Sequence, residues 1–281
     1  MKRKSLRISS SAKINLFLDV LSKRSDGYHQ IRTVFSEIEL ADIINFALTK
    51  KGAIKILSDI DFVSVNENLI YKVAVFIKDK YNVEYGVEIE LQKNIPISAG
   101  MGGGSSNAAS TIMALSELWS LDLSLREMHK IAENFGSDIN FFLEGGCALG
   151  ENRGEKINHL KQIELDNIFL VNPGFEISSK EAYDAVSLDG HENNNWLKLI
   201  KYENIKWCYN KLQVGVCKKY PEIQMIINYL LENGAEQAML SGSGATIIGF
   251  CPDRATADKF SIYYSNMGYW NYITKTKRSA K

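Results

Sequence analysis

The sequence is short of the features that define several protein classes. It holds only four cysteines, at 147, 208, 217 and 251, and no two form a Cys-x-x-Cys pair. Disulfide scaffolds and zinc sites rely on such pairing, so free thiols in a reducing cytoplasm are expected. No window reaches ~20 uninterrupted apolar residues, so neither a membrane-spanning helix nor a membrane partner is expected. The apolar run after the basic start is interrupted by Lys13, Asn15 and Asp19, and no small-residue cleavage site follows. A signal peptide is therefore not expected. Net charge is lacking too, because 33 basic residues offset 33 acidic ones. With no broad positive field and no basic aromatic stripe, a nucleic-acid partner is not expected. The basic clusters Lys2-Arg3-Lys4 and Lys275–Arg278 read as solvated ends.

What remains is a globular composition, and 281 residues suffice for two domains. No linker composition marks their border. The strand and helix pattern restarts after the polar, loop-like stretch Glu151–Lys156, which divides the chain into 1–155 and 156–281.

The most informative stretch is Ile95–Ala109, with glycines at 100, 102, 103 and 104, then Ser105, Ser106 and Asn107. Before it, Val83, Tyr85, Val87, Ile89 and Leu91 alternate with polar residues, which predicts a strand over 83–91. After it, Ala108, Ile112, Leu115 and Trp119 recur at helical spacing. Glycine lets a ligand approach the main chain, and Ser105 or Ser106 is expected to cap the helix. The helix's first N–H groups then point out of the loop and attract an anion, most often phosphate. A plain glycine linker is the alternative, but linkers rarely join a clear strand to a clear helix. No Gly-Lys-Ser/Thr closes a Walker A loop, and the third glycine of a dinucleotide fingerprint is missing. The loop therefore indicates phosphate without saying which phosphate.

Elsewhere, Ile8–Val20 reads as a strand with Lys13 and Asn15 on one face. Polar residues sharing a face are equally the mark of a solvated surface. Asp26-Gly27 marks a turn that places Tyr28 and His29 just beyond it. A strand is predicted over 31–40 and a hairpin over 42–57, then a helix over 69–81 after Asn68. Ser124 to Glu127 is a capping-box pattern opening a helix to Phe135. Asp138 follows, a candidate cap for a short next helix. In the second half, strands are predicted over 168–171, 237–240, 246–250 and 270–274, with helices over 221–232 and 254–267 and an unpatterned stretch to about Asn195. This is an α+β pattern, and a second glycine loop, Ser241-Gly-Ser-Gly244, lies inside it.

Three separated stretches resemble the GHMP small-molecule kinases: Ser11–Leu16, Pro96–Ala109 and Leu240–Thr246. With Asp26-Gly-Tyr-His29 added, the match narrows to the branch that phosphorylates a cytidine-diphosphate-linked methylerythritol in the non-mevalonate isoprenoid route. The resemblance implies a two-domain α+β GHMP kinase fold, with an N-terminal ribosomal-protein-S5-like domain and a C-terminal ferredoxin-like domain. It implies Lys13 and Asp138 as the catalytic pair, with ATP and Mg²⁺ as cofactors and no protein ligand of the metal identified. Pro96, Gly100, Gly102, Gly103, Gly104, Ser105, Ser106, Asn107 and Asn68 would bind ATP. Asn15, Tyr28, His29, Ser179 and Tyr183 would bind the substrate. The sequence departs from the family at Ser98, where glycine is frequent, at Ile139-Asn140 after Asp138, and at Ser179, where threonine is usual. A homoserine- or mevalonate-type kinase and a non-catalytic ligand-sensing relative are the remaining alternatives.

Overall fold

The computed structural model describes residues 4–50, 52–59 and 64–278; Lys2 and Arg3 of the basic start lie outside the described residues. Contacts divide the chain into two compact units. The first comprises the chain up to Ala12, Leu40–Pro96 and Gly102–Glu144, and the second Lys13–Glu39, Ile97–Met101 and everything from Gly145. Two long strands, β1 (Ser5–Lys23) and β2 (His29–Thr49), supply segments to both units.

In the first unit, β3 (Ile54–Ser58) leads through α1 (Leu69–Lys80) to β4 (Gly86–Gln92), and β3 lies parallel to β4. The hairpin predicted over 42–57 is therefore not formed. Instead β2 runs unbroken to Thr49, and its second half pairs antiparallel with β4. Local alternation cannot reveal which strand a segment will pair with. The strand predicted over 83–91 begins only at Gly86, and there Val87, Ile89 and Leu91 do point inward. Asn68 caps α1, its side chain accepting from the Ile70 N–H at 2.9 Å, and Ile70, Val73, Ala74 and Ile77 form the buried face. α2 (Gly103–Leu118) packs on α1, α3 (Leu125–Ala132) and α4 (Ile139–Glu144). Its small residues Ala108, Ala109, Ser110 and Ala114 permit that close approach. The Ser124–Glu127 capping box opens α3 as predicted, but the helix stops at Ala132 rather than Phe135.

The second unit contains the turn over Arg24–Tyr28, where Gly27 takes a φ of 86°, as the Asp-Gly pair led one to expect. β5 (Cys147–Asn152) pairs with the first half of β2, and β6 (Lys156–Leu160) pairs with β5. The stretch 151–156, expected to be loop-like, is mostly this hairpin. Its polar residues belong to an exposed edge, which alternation rules do not register. β7 (Ile168–Asn172) is followed by α5 (Ser179–Asp184), α6 (Asn195–Tyr202), β8 (Tyr209–Asn210) and α7 (Gln213–Lys219). α5 lies inside the stretch to Asn195 read as unpatterned; one and a half turns are too short to show periodicity. The chain ends with α8 (Pro221–Glu232), β9 (Gln237–Leu240), β10 (Ile247–Phe250), α9 (Arg254–Asn266) and β11 (Trp270–Thr274). β7, β9, β10 and β11 form an antiparallel sheet in the order β11-β7-β10-β9, the expected ferredoxin-like arrangement. α8 and α9 cover it, burying Phe169, Leu230, Ile247 and Phe260.

One fold determinant was invisible in the sequence. Asp42, fully buried on β2, pairs with Lys93 and accepts the N–H groups of Asn94 and Ile95 at 2.8 and 2.9 Å. That carboxylate anchors the chain just ahead of the first glycine loop. Removing it would leave a buried ammonium and two N–H groups without their acceptor. Asp42→Ala is accordingly expected to cost about 3–5 kcal/mol in urea unfolding. Lys180→Ala, which breaks an exposed pair with Asp184, should leave the midpoint in place.

Candidate active site

β1 carries Lys13 and Asn15 into the second unit, and both side chains are buried, at 4% and 3% exposure. The solvated-surface alternative fails. A buried ammonium needs acceptors. Lys13 Nζ donates to Asn15 Oδ1 at 2.7 Å and to the Gly100 carbonyl at 3.3 Å, and it lies 5.4 Å from the centre of the Phe35 ring. Asn15 Nδ2 donates in turn to Thr33 Oγ1 at 2.7 Å, and Thr33 donates to the Phe17 carbonyl at 2.7 Å. The Lys13 backbone N–H is bound by the Met101 carbonyl.

The second glycine loop closes on this group. A Cβ at Gly100 would stand 2.0 Å from the Ser241 carbonyl oxygen, and Gly100 also has a φ of 72°. Any other residue is excluded there twice over. Ser241 Oγ donates to the Gly100 carbonyl at 3.2 Å. A Cβ at Gly242 would meet Gly100 O at 2.8 Å and Asn15 Oδ1 at 3.1 Å. Asn210 on β8 holds the loop from behind, donating to the carbonyls of Leu240 and Gly242 at 2.8 Å each. Thr33 and Asn210 were not recognised in the sequence, since neither lies in a glycine motif or beside one.

Beyond the Asp26-Gly27 turn, the His29 ring stacks on Tyr183 with centroids 5.2 Å apart and planes 22° from parallel. Burial, then the Lys23 charge, hold the His29 imidazole below the usual histidine range, against a weaker opposite pull from Asp184. Tyr28 is 56% exposed, its ring facing the Arg153 guanidinium at 4.9 Å. Arg153 is a further residue the sequence did not single out. Ser179 Oγ lies 3.3 Å from Ser243 Oγ of the second glycine loop. All five residues expected to bind substrate therefore fall in the second unit, four of them in three pairings: Asn15 with Lys13, His29 with Tyr183, and Ser179 with Ser243.

The first unit holds most of the residues expected to bind ATP. Neither serine caps α2. Gly102, with a φ of 68°, occupies the cap position without a side-chain bond, and Ser105 and Ser106 lie inside the first turns. Only glycine takes that backbone cheaply, so the helix starts earlier than a serine cap would place it. Ser106 Oγ is bonded to Ser10 Oγ at 2.7 Å. Uncapped by a side chain, the first N–H groups of α2 keep the anion-attracting character inferred from the sequence. A Cβ at Gly104 would contact Leu69 at 3.7 Å, so the start of α1, with Asn68, adjoins the start of α2. At Gly103 it would meet Ile95 at 3.0 Å and Lys93 Nζ at 3.2 Å. Pro96 is half-buried, and the buried Asn107 has its Oδ1 without a hydrogen-bond donor. Ser98, which replaces a frequent glycine, has a φ of 51°, the backbone that glycine accepts most easily. Asp138 stands half-buried immediately before α4.

The four cysteines are free and buried. Burial pushes the thiols of Cys147 and Cys217 up to about 11 and that of Cys251 up to about 12, so none of these three is a thiolate nucleophile at neutral pH. Among the described residues, no helix is long and apolar enough to cross a membrane.

Comparison with known proteins agrees with this geometry. Residues 68–146 match the GHMP kinases N terminal domain and residues 187–267 the GHMP kinases C terminal domain. A 4-diphosphocytidyl-2-C-methyl-D-erythritol kinase of Caldanaerobacter subterraneus subsp. tengcongensis is 43% identical over 274 residues, covering 92% of this chain and 94% of that protein. The Bacillus subtilis enzyme of the same name is 39% identical, with 93% of each chain covered. A crystal structure of 4-(cytidine 5'-diphospho)-2C-methyl-D-erythritol kinase superposes with a TM-score of 0.82 at 26% identity, over 97% of this chain and 100% of that one. A Cytophaga hutchinsonii homoserine kinase shares the fold, with a TM-score of 0.72 at 15% identity over 99% of this chain and 96% of that one. The chain thus belongs to the GHMP kinases and, within them, to the 4-diphosphocytidyl-2-C-methyl-D-erythritol kinase family.

Proposed function

We propose that this protein transfers the γ-phosphoryl group of ATP to the 2-hydroxyl of 4-diphosphocytidyl-2-C-methyl-D-erythritol, a cytoplasmic step towards isoprenoid precursors. The observation that carries the reading is the buried Lys13 ammonium, held by Asn15 and by the Gly100 carbonyl of the first glycine loop. Burying a lysine is costly, and a transferring phosphoryl group is the kind of charge that repays it.

In this reading Asp138 accepts or orients the proton of the attacking hydroxyl, and Lys13 offsets charge on the transferred group. The backbone N–H groups at the start of α2, with the hydroxyls of Ser105 and Ser106, hold the ATP phosphates, while Asn68 lies towards the adenosine. Pro96, Gly100 and Gly102–Gly104 shape the loop that presents those N–H groups, with Gly102 in the left-handed backbone that starts α2, and Asn107 has an acceptor in reserve. Residues 1–155 carry the ATP site, and residues 156–281 contribute to the substrate cleft.

Mg²⁺ is proposed with the nucleotide. Among the described residues no three His, Cys, Asp or Glu side chains form a cage. Mg²⁺ bound with a nucleotide needs only one or two protein oxygens besides phosphates and waters, and Asp138 and Ser105 offer that donor type. When bound, the ion neutralises phosphate oxygens during transfer.

On the substrate side, the His29 imidazole bonds the edge of the cytosine, with the Tyr183 and Tyr28 rings providing apolar faces. Ser179 and Asn15 offer polar contacts to the rest of the substrate.

Two expected outcomes follow from these roles. Asp138→Asn should lower kcat by about 100-fold or more while nucleotide and substrate still bind in calorimetry; near-normal turnover would remove its role. His29→Ala should raise the KM of the cytidine substrate at least about tenfold, the scale of one buried hydrogen bond, and leave the ATP KM unmoved. Because burial holds the His29 imidazole below the usual histidine range, the wild-type KM for the cytidine compound should stay level at neutral pH and rise only on acidification below that range. Equal effects on both KM values would contradict base recognition.

A further inference from the structure

We propose that Thr33 is a positioning residue for phosphoryl transfer: its hydroxyl orients the Asn15 amide and, through it, holds the Lys13 ammonium. The inference rests on the role given to Lys13 above. An ammonium only donates, so the oxygen of the Asn15 amide must face it, as the 2.7 Å contact to Oδ1 shows. The amide's other end is then a donor, and the group it meets at 2.7 Å, Thr33 Oγ1, has to accept. The single hydroxyl proton is left for the Phe17 carbonyl, also at 2.7 Å. Donor and acceptor roles are therefore dictated along the whole chain from Lys13 to Phe17. Lys13, Asn15 and Thr33 are 4%, 3% and 0% exposed, so water does not substitute for a missing member.

The Thr33 rotamer is held as well. Thr33 pairs across the strands with Gly150 of β5. A Cβ at Gly150 would stand 3.0 Å from Thr33 Cγ2 and 2.6 Å from Phe35 Cε2. The bare glycine thus makes room for the threonine methyl and for the ring that lies beneath Lys13. With the methyl seated there, the hydroxyl is directed at Asn15. Valine in place of threonine keeps the shape but gives Asn15 Nδ2 nothing to bond, so the amide is free to turn away from Lys13.

The test compares full-length wild type, Thr33→Val and Thr33→Ser in two ways. Steady-state kinetics with ATP and the cytidine-linked methylerythritol give kcat and both KM values. Trace acylation with acetic anhydride, followed by mass spectrometry, gives the reactivity of Lys13, with the exposed Lys180 as an internal control. For Thr33→Val, kcat should fall by about tenfold with the ATP KM within about twofold, the loss expected for a hydrogen bond that supports a charge. With the Asn15 oxygen turned away, the Lys13 amine is less held by hydrogen bonding, so it should acylate about threefold faster or more while Lys180 does not change. Thr33→Ser keeps the hydroxyl and should stay within about twofold of wild type in both assays. Unchanged Lys13 reactivity in Thr33→Val would overturn the proposal. So would a serine variant as impaired as the valine one, because the methyl and not the hydroxyl would then matter. Reactivity needs no turnover: faster labelling of Lys13 without any activity on this substrate would uphold the relay and reject the proposed function.

Discussion

The site depends on keeping one ammonium, that of Lys13, charged inside a β-sheet. Desolvating it is unfavourable by several kcal/mol unless acceptors surround it. The second unit supplies them from three directions. Asn15, two residues along the same strand, gives an amide oxygen, the first glycine loop gives the Gly100 carbonyl, and the Phe35 ring lies beneath. Each support constrains something further away. The amide needs Thr33, Thr33 needs the space at Gly150, and the Gly100 carbonyl is held by Ser241. Three motifs far apart in the chain are thereby tied to one charge.

Glycine serves two different physical purposes here. At Gly100 the requirement is proximity, since the Ser241 carbonyl occupies the place of a Cβ. At Gly102 it is conformation, a left-handed residue that starts α2 with no side-chain cap. The first leaves room for the lysine and its neighbours. The second leaves helix N–H groups available to an anion. Ser98 shows the cost of doing without glycine: a non-glycine residue sits at a φ of 51°, in a region that L-residues visit rarely.

Much of this was legible in the sequence. Apolar spacing and turn signals located α1, α2, α8, α9 and most strands of the second half, because apolar residues recur there at the period of each element or run together between turns. The glycine loop and the Asp26-Gly27 turn were readable because backbone angles there demand particular residues. Alternation misled at Lys13 and Asn15, where a polar face read as solvent and proved to be buried. It misled again over 42–57, since the partner of β3 is reached only through α1. Ser105 and Ser106 looked like caps because serine favours that position, yet the glycines ahead of them began the helix first. Thr33, Asp42, Asn210 and Arg153 act through partners far away in the chain, and no local pattern carries such information. The pairing of Lys13 with Asp138 rests on the family resemblance and the chemistry of the two groups.

The most direct test is ATP consumption by the purified protein with Mg²⁺, offered in turn 4-diphosphocytidyl-2-C-methyl-D-erythritol, homoserine and mevalonate. The account predicts turnover with the cytidine compound alone. Turnover with homoserine or mevalonate instead would keep the kinase fold and contradict the base-recognition role of His29 and Tyr183, and silence with all three would contradict the proposed catalysis itself.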